Sequence, residues 1–114
     1  MPALRTVAET KAFAADIDAM LSAPERDAVI AEIAAAPEGG DLIRGTGGLR
    51  KRRIALPGRG KRGGARVITL FLGERYPVYA VFLFAKNERE NLSAQQSKAL
   101  LQLIGAIKAQ ARVK

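Results

Sequence analysis

Residues 65–85 read ARVITLFLGERYPVYAVFLFA. Ala65–Gly73 is rich in the β-branched and aromatic residues that favour strands. Glu74 and Arg75 follow as the tip of a tight hairpin, and Tyr76–Ala85 is an almost continuous apolar run. Such a run is typical of a central strand that is buried on both faces. The stretch therefore predicts two antiparallel strands at the centre of a sheet.

The chain immediately upstream predicts a third strand. This candidate is Leu49–Leu56, which follows a flexible turn at Gly45–Gly48. Pro57–Gly64 is Gly-rich and basic, and it predicts the loop that joins this strand to the next. Near the N-terminus, Leu4–Val7 alternates briefly and is a candidate short strand. We therefore expect a small, twisted antiparallel sheet.

Two helices are predicted before this sheet. From about Thr10, apolar residues recur at spacings of three and four, which places them on one face of a helix. Ser22, with a proline in the first turn and Glu25 three positions later, has the pattern of a capping box that opens a second helix. That helix is expected to end at Ala36, because Pro37 cannot continue it. The short link between the helices predicts a helical hairpin.

A third helix is predicted at the C-terminus. Residues 93–96 have the pattern of a second capping box, and Leu and Ile residues follow on one side of the helix that it opens. The order strand, helix, helix, three antiparallel strands and helix predicts an α+β fold, with helices packed on a twisted sheet. A length of 114 residues suits one domain, residues 1–114.

The residue types present restrict the chemistry. The chain contains no Cys and no His, which excludes disulfides, thiol nucleophiles and the usual general base and metal ligands. A formal net charge of +8 points to a polyanionic partner. Nucleic acid is the first candidate and an anionic membrane surface the second, while a basic surface kept for solubility is the plain alternative. Since the sequence lacks the patterns of a transmembrane helix and of a signal peptide, we expect a cytoplasmic protein.

The basic residues concentrate in one segment. Residues 44–66 contain nine of the 19 Lys and Arg residues and no Asp or Glu. Like charges that lie close together repel, so a cluster of one sign suggests a ligand that supplies negative charge. A merely soluble loop is the alternative. Glycines interleave the cations from Gly58 to Gly64, and glycine lets a backbone approach a phosphate closely. These glycines are not a dinucleotide-binding fingerprint, because no helix is predicted after them. They are not a P-loop either, because the sequence contains no Gly-Lys-Ser/Thr.

Strand alternation sorts these cations. If the apolar residues at the end of Leu49–Leu56 face the core, Lys51 and Arg53 face outward together. Arg66 lies on the next strand, where a hairpin brings it beside Arg53. Lys86 lies just past the last strand. We therefore expect Arg53, Arg66 and Lys86 at the centre of one concave basic patch.

Three motifs in register give the chain a specific resemblance. They are Gly45-Thr46-Gly47-Gly48-Leu49-Arg50-Lys51, Gly60-Lys61-Arg62-Gly63-Gly64-Ala65-Arg66 and Ala85-Lys86-Asn87-Glu88. Together they resemble the RelE/ParE toxin superfamily, and best its HigB-like branch, over about Asp41–Leu92. The resemblance implies a RelE-like microbial RNase fold and a toxin of a type II toxin–antitoxin system. It also implies cleavage of mRNA in the ribosomal A site without metal or other cofactor, and a cognate antitoxin as partner.

The resemblance also implies roles for individual residues. The catalytic residues would be Arg53, Arg66, Lys86 and Asn87, with Arg66 at the scissile phosphate. The residues expected to bind RNA are Arg50, Lys51, Arg59, Lys61 and Arg62. Arginine stays protonated and can only stabilise the anionic transition state, so a lysine must act as acid or base. The lysine candidates are Lys86, Lys61 and Lys51, with Lys86 first by position.

Two other functions are compatible with the sequence. A ParE-like gyrase poison shares the fold but acts by binding protein, and such toxins usually lack so dense a basic centre. A plain nucleic-acid-binding module without activity predicts salt-sensitive binding and no toxicity. A weak acid–base apparatus favours help from the ribosome, so we expect the nuclease to cut free RNA poorly.

Overall fold

The computed structural model describes residues 6–56, 60–85 and 94–113 of the chain. In chain order the elements are β1 (Val7–Glu9), α1 (Lys11–Met20), α2 (Ala23–Ala35), β2 (Asp41–Leu42), β3 (Leu49–Leu56), β4 (Gly60–Phe71), β5 (Val78–Ala85) and α3 (Ala94–Val113). This order confirms the predicted α+β class, with a helical hairpin before the sheet and a helix after it. None of the described helices is long and apolar enough to cross a membrane.

The strands form one sheet in the order β1-β5-β4-β3-β2. The antiparallel centre of β3, β4 and β5 is as predicted, and β2 continues it antiparallel to β3. β1 pairs parallel with β5, so the complete sheet is mixed. β1 begins at Val7, whereas the sequence predicts a strand over Leu4–Val7, of which residues 4 and 5 lie outside the described ranges. The sequence does not predict β2, because two residues are too few to show alternation.

β4 begins earlier than predicted. Gly60–Gly64 belongs to this strand, whereas the sequence predicts a loop over Pro57–Gly64. Residues 57–59 lie outside the described ranges. The prediction is wrong for Gly60–Gly64 because glycine has a low strand propensity and occupies three of these five positions.

A bulge accompanies this part of β4. Ile54 pairs with Ala65, but the next pair joins Leu56 to Gly60. Between the two pairs β3 contributes one residue and β4 contributes four, so the segment 61–64 leaves the regular ladder. Bulges bend a strand and are frequent beside active sites, and glycine is common in them.

Both faces of the sheet are covered. On one face, α1 and α2 enclose a core that includes Phe13 and Val67, and we call this the α1/α2 face. On the other, the α3 face, Ile104 of α3 packs in a core with Leu49 and Ile68. β5 contributes residues to both cores, as its almost continuous apolar sequence predicts.

The predicted capping box at the start of α2 is confirmed. The backbone N–H of Ser22 donates to Oε1 of Glu25 at 2.9 Å, and the backbone N–H of Glu25 donates to Oγ of Ser22 at 3.4 Å. The second predicted box begins at Ser93, which lies outside the described residues. The helix that it was predicted to open is present as α3.

Thr10 joins α1 to the centre of the sheet. Its Oγ1 accepts a hydrogen bond from the Phe13 N–H at 3.1 Å as the N-cap of α1. The same hydroxyl donates to the Val81 carbonyl at 2.8 Å, and the Thr10 N–H donates to the Ala80 carbonyl at 3.0 Å. One side chain therefore both caps the helix and ties it to β5.

Replacement of Thr10 with valine is expected to lower the free energy of unfolding by about 1–2 kcal/mol. Valine keeps the shape of the side chain but removes the cap and the donor to the Val81 carbonyl. Urea unfolding followed by circular dichroism measures the change. Thr6→Val is the control, because Thr6 is exposed and accepts from the Val78 N–H through its backbone carbonyl. Equal unfolding midpoints for wild type and Thr10→Val would contradict the prediction.

Candidate nucleic-acid interface

Alternation along β3 divides its four consecutive cations between the two faces of the sheet. Lys51 pairs with Ile68 and lies on the α3 face, together with Arg53. Arg53 is exposed and Lys51 is half-buried, so their shared outward direction is confirmed. Arg50 and Arg52 lie on the α1/α2 face. The structure therefore separates two cations that can meet a ligand beside α3 from two that cannot.

Arg53 and Arg66 are direct partners across β3 and β4, as the hairpin predicts. Directly paired residues share a face, with Cβ atoms about 4.5–5.5 Å apart. Arg53 is exposed, whereas Arg66 is only 8% exposed. Nε of Arg66 is buried and has no hydrogen-bond partner among the described residues. We call these two residues the arginine pair.

The arginine pair is unfavourable without a ligand. Like charges directly opposite each other destabilise a strand pair. A buried donor without an acceptor adds a desolvation penalty of about 1–3 kcal/mol. An anion bound by both guanidinium groups would offset both effects, and phosphate oxygens suit the planar fork of arginine. The chemistry of the arginine pair therefore suits a phosphate group.

Apolar residues border the arginine pair. On its other side Arg66 pairs with Phe84 of β5, a half-buried residue that packs against the core of the α3 face. Lys51 lies two residues before Arg53 on the same strand and face. The surface thus combines two guanidinium groups and an ammonium group with a neighbouring aromatic residue. Cations that hold phosphates and rings that stack on bases are the usual components of a single-strand nucleic-acid surface.

Arg50 and Arg52 hold the connection between α2 and β2. Nη1 of Arg50 donates to the Gly40 carbonyl at 3.1 Å, and Nη2 of Arg52 donates to the Pro37 carbonyl at 3.4 Å. The sequence predicts that Arg50 binds RNA. The structure places Arg50 on the face opposite the arginine pair and in contact with the backbone, so it does not join Arg53 at one surface.

Burial is unfavourable for the charge of Arg52. The residue is 7% exposed, and its Nε has no partner among the described residues. Burial lowers the pKa of Arg52, the nearby carboxylate of Glu32 raises it, and the positive charge of Arg50 lowers it further. The folded state therefore holds this proton less tightly than the unfolded state. The ionised guanidinium therefore contributes against folding.

Replacement of Arg52 with methionine is expected to change the free energy of unfolding by less than about 1 kcal/mol, or to raise it. Methionine fills a similar volume, removes the desolvated charge and gives up one long hydrogen bond to Pro37. Arg52→Ala leaves a cavity and is expected to lower the same quantity by about 2 kcal/mol. Urea unfolding of both variants checks this, and an equal loss for the two would count against it.

The turn between β2 and β3 is held by a threonine and a lysine. Oγ1 of Thr46 donates to the Ile43 carbonyl at 2.6 Å and accepts from the Leu49 N–H at 3.2 Å. Nζ of Lys108 donates to the Gly47 carbonyl at 2.9 Å. The bond from Lys108 joins α3 to the turn just before β3. The turn therefore fixes where the strand that carries Lys51 and Arg53 begins.

Part of the predicted site lies outside what the structure describes. This holds for Lys86, Asn87 and Arg59, and for the side chains of Lys61 and Arg62, whose backbone belongs to β4. Their roles stay predictions. The described part of the chain has no group of three or more carboxylates placed to hold a metal ion.

Asp41 reaches the site without a signal in the sequence. It pairs with Lys51 across β2 and β3, and so it shares the face of the arginine pair. The sequence places Asp41 just before the basic segment but says nothing of its direction. Only the pairing of the two-residue strand β2 with β3 reveals it.

The comparison with known families agrees with this geometry. Residues 25–113 match a family model described as the RelE toxin of the RelE / RelB toxin-antitoxin system. The chain belongs to the RelE toxin family. The match includes all of β2 to β5 and α3, and with them the arginine pair. This RelE-type chain is a toxin of a toxin–antitoxin system, and its family implies a cognate antitoxin as partner.

Proposed function

We propose that this RelE-family toxin is a ribosome-dependent mRNA endonuclease of the HigB-like branch, and that residues 1–114 act as one domain in the cytoplasm, where ribosomes are. The arginine pair is the observation that carries the proposal. Arg53 and Arg66 are directly opposite residues on one side of the sheet, and Arg66 is buried with an Nε that has no hydrogen-bond partner among the described residues. A solubility surface needs neither the pairing nor the burial.

Metal-free RNA cleavage suits this set of residues. The 2′-oxygen bonds to the adjacent phosphorus, the bond from phosphorus to the 5′-oxygen breaks, and a 2′,3′-cyclic phosphate and a 5′-hydroxyl result. Negative charge grows on the phosphorane between these events. In this proposal Arg53 and Arg66 stabilise that charge through bidentate hydrogen bonds.

Proton transfer needs further groups, because arginine remains protonated. One group must accept the proton of the 2′-hydroxyl and another must donate a proton to the 5′-oxygen. Lys51 is a predicted candidate whose position on the face of the arginine pair is described. Lys86 and Lys61 remain candidates by prediction. The ribosome would supply the alignment of the 2′-hydroxyl, the phosphorus and the 5′-oxygen.

Induction of the gene in cells, followed by mapping of mRNA 5′ ends, tests this function. We expect growth arrest, new ends within translated codons, and relief by the antitoxin. Purified toxin should cut mRNA on ribosomes and leave free RNA largely intact. Inhibition of gyrase in a supercoiling assay with intact mRNA would instead support a ParE-like poison. Salt-sensitive RNA binding without growth arrest would support a binding module.

A further inference from the structure

Asp41 brings a carboxylate to the surface of the arginine pair. Asp41 is the Cα partner of Lys51, so both side chains lie on the face of Arg53 and Arg66. Ile43, two residues after Asp41, packs against the core of the same face, which agrees with this direction. Asp41 and Arg53 are diagonal neighbours on adjacent strands, a relation in which side chains about 7–8 Å apart remain within reach of each other.

The carboxylate of Asp41 is accessible to a ligand. Asp41 is exposed, and among the described residues its side chain has no hydrogen bond or ion pair. No other Asp or Glu lies between Asp41 and Glu74 in the sequence. β3 and β4 lie between these two residues and contain no carboxylate of their own. Asp41, on the neighbouring strand β2, therefore brings a carboxylate next to β3.

The backbone before Asp41 is held in place. Gly40 has a φ of +91°, and a Cβ built there would lie 2.6 Å from the carbonyl oxygen of Lys51. Arg50 donates to the Gly40 carbonyl at 3.1 Å from the other side of the sheet. The close approach and the hydrogen bond keep Asp41 in register with Lys51, although β2 itself contains only two residues.

We propose that Asp41 is the general base of the cleavage reaction and Lys51 the general acid. The proposal rests on the mRNA endonuclease function proposed above. A carboxylate can accept a proton and a lysine ammonium group can donate one, and these are the two proton transfers that the reaction needs. In a chain without histidine, a carboxylate is the side chain that accepts a proton most readily near neutral pH.

The two residues complete the proton balance. The proton of the 2′-hydroxyl passes to Asp41 while the 2′-oxygen bonds to phosphorus. Lys51 gives a proton to the 5′-oxygen as its bond to phosphorus breaks. Arg53 and Arg66 hold the charge of the phosphorane and exchange no proton.

Single-turnover cleavage of mRNA on programmed ribosomes tests the role of Asp41. With saturating toxin, Asp41→Asn should lower the rate about 10²–10⁴-fold, with ribosome binding unchanged. Asp41→Glu should recover part of that rate, which shows that the loss comes from the carboxylate and not from misfolding. Asp27→Asn is the matched control, because Asp27 is an exposed aspartate on α2. It should cleave at the wild-type rate.

An mRNA with sulfur in place of the scissile 5′-oxygen separates the base from the acid. Thiolate leaves without protonation, so Lys51→Met should cleave this mRNA at close to the wild-type rate, whereas Asp41→Asn should stay slow. A wild-type rate for Asp41→Asn on ordinary mRNA overturns the proposal. So does recovery of the Asp41→Asn rate on the sulfur-containing mRNA, and so does an Asp41→Asn defect that is confined to ribosome binding. In each of these outcomes wild-type toxin still cleaves mRNA. If wild-type toxin leaves the mRNA intact, the endonuclease function proposed above is itself wrong.

Discussion

Replacement of Arg66 with alanine is expected to lower the rate of ribosome-dependent mRNA cleavage by about 10²–10³-fold, the usual effect of removing one preorganised donor to a transition-state anion. Arg66 lies directly opposite Arg53, and burial restricts the conformations of its side chain. Such restriction makes a guanidinium group a stronger partner for a developing charge, because little entropy is lost on binding. Single-turnover cleavage at saturating toxin measures the chemical step.

Two further variants identify the cause of the loss. Arg66→Lys keeps the positive charge but not the planar fork, so its rate should lie between those of wild type and Arg66→Ala. Arg75→Ala removes an exposed arginine beyond the other end of β4 and should cleave at the wild-type rate. Since Arg66 is buried, thermal unfolding of each variant is recorded separately. A folded Arg66→Ala protein with the wild-type rate would exclude Arg66 from the site.

Replacement of Gly40 with alanine is expected to lower the free energy of unfolding by about 2–5 kcal/mol. A residue with a Cβ is strained at the φ of +91°, by about 1–2 kcal/mol. Its Cβ would also lie 2.6 Å from the carbonyl oxygen of Lys51 and 2.8 Å from Cβ of Arg52. Overpacking adds about 1–3 kcal/mol. β3 cannot move away easily, because it is paired with β4 along its length.

Gly45 provides the matched control for Gly40. Gly45 has a φ of +79°, but a Cβ there meets nothing within 4 Å. Gly45→Ala should therefore show the conformational strain alone, about 1–2 kcal/mol. Urea unfolding of both variants gives the difference. Losses of equal size would show that the close approach between Gly40 and β3 has no effect on stability.

The longer elements were readable from the sequence because each depends on neighbouring residues. The strand Leu49–Leu56 follows from its alternation, and its bounds agree with β3. The capping box at Ser22 follows from residues three apart, and it opens α2 as predicted. The RelE family was also recognisable, because its motifs are continuous segments whose spacing needs no tertiary structure.

The edge strands of the sheet and the start of β4 could not be predicted from local sequence patterns. β2 is too short to show a period, and the parallel pairing of β1 with β5 joins residues 71 positions apart. The extension of β4 through Gly60–Gly64 opposes the local propensity of glycine. These features arise from pairing with other strands, which no local pattern contains.

The candidate site likewise has some features that follow from local sequence and others that only the tertiary structure determines. Alternation within one strand is a local property, so the primary structure already assigns Lys51 and Arg53 to one face of β3 and supplies a cationic surface without histidine or cysteine. The burial of Arg66, the contact of Arg50 with Gly40 and the position of Asp41 beside Lys51 come from the folded chain. They depend on strand register and on what covers each face, and both are set by contacts between residues far apart in the chain.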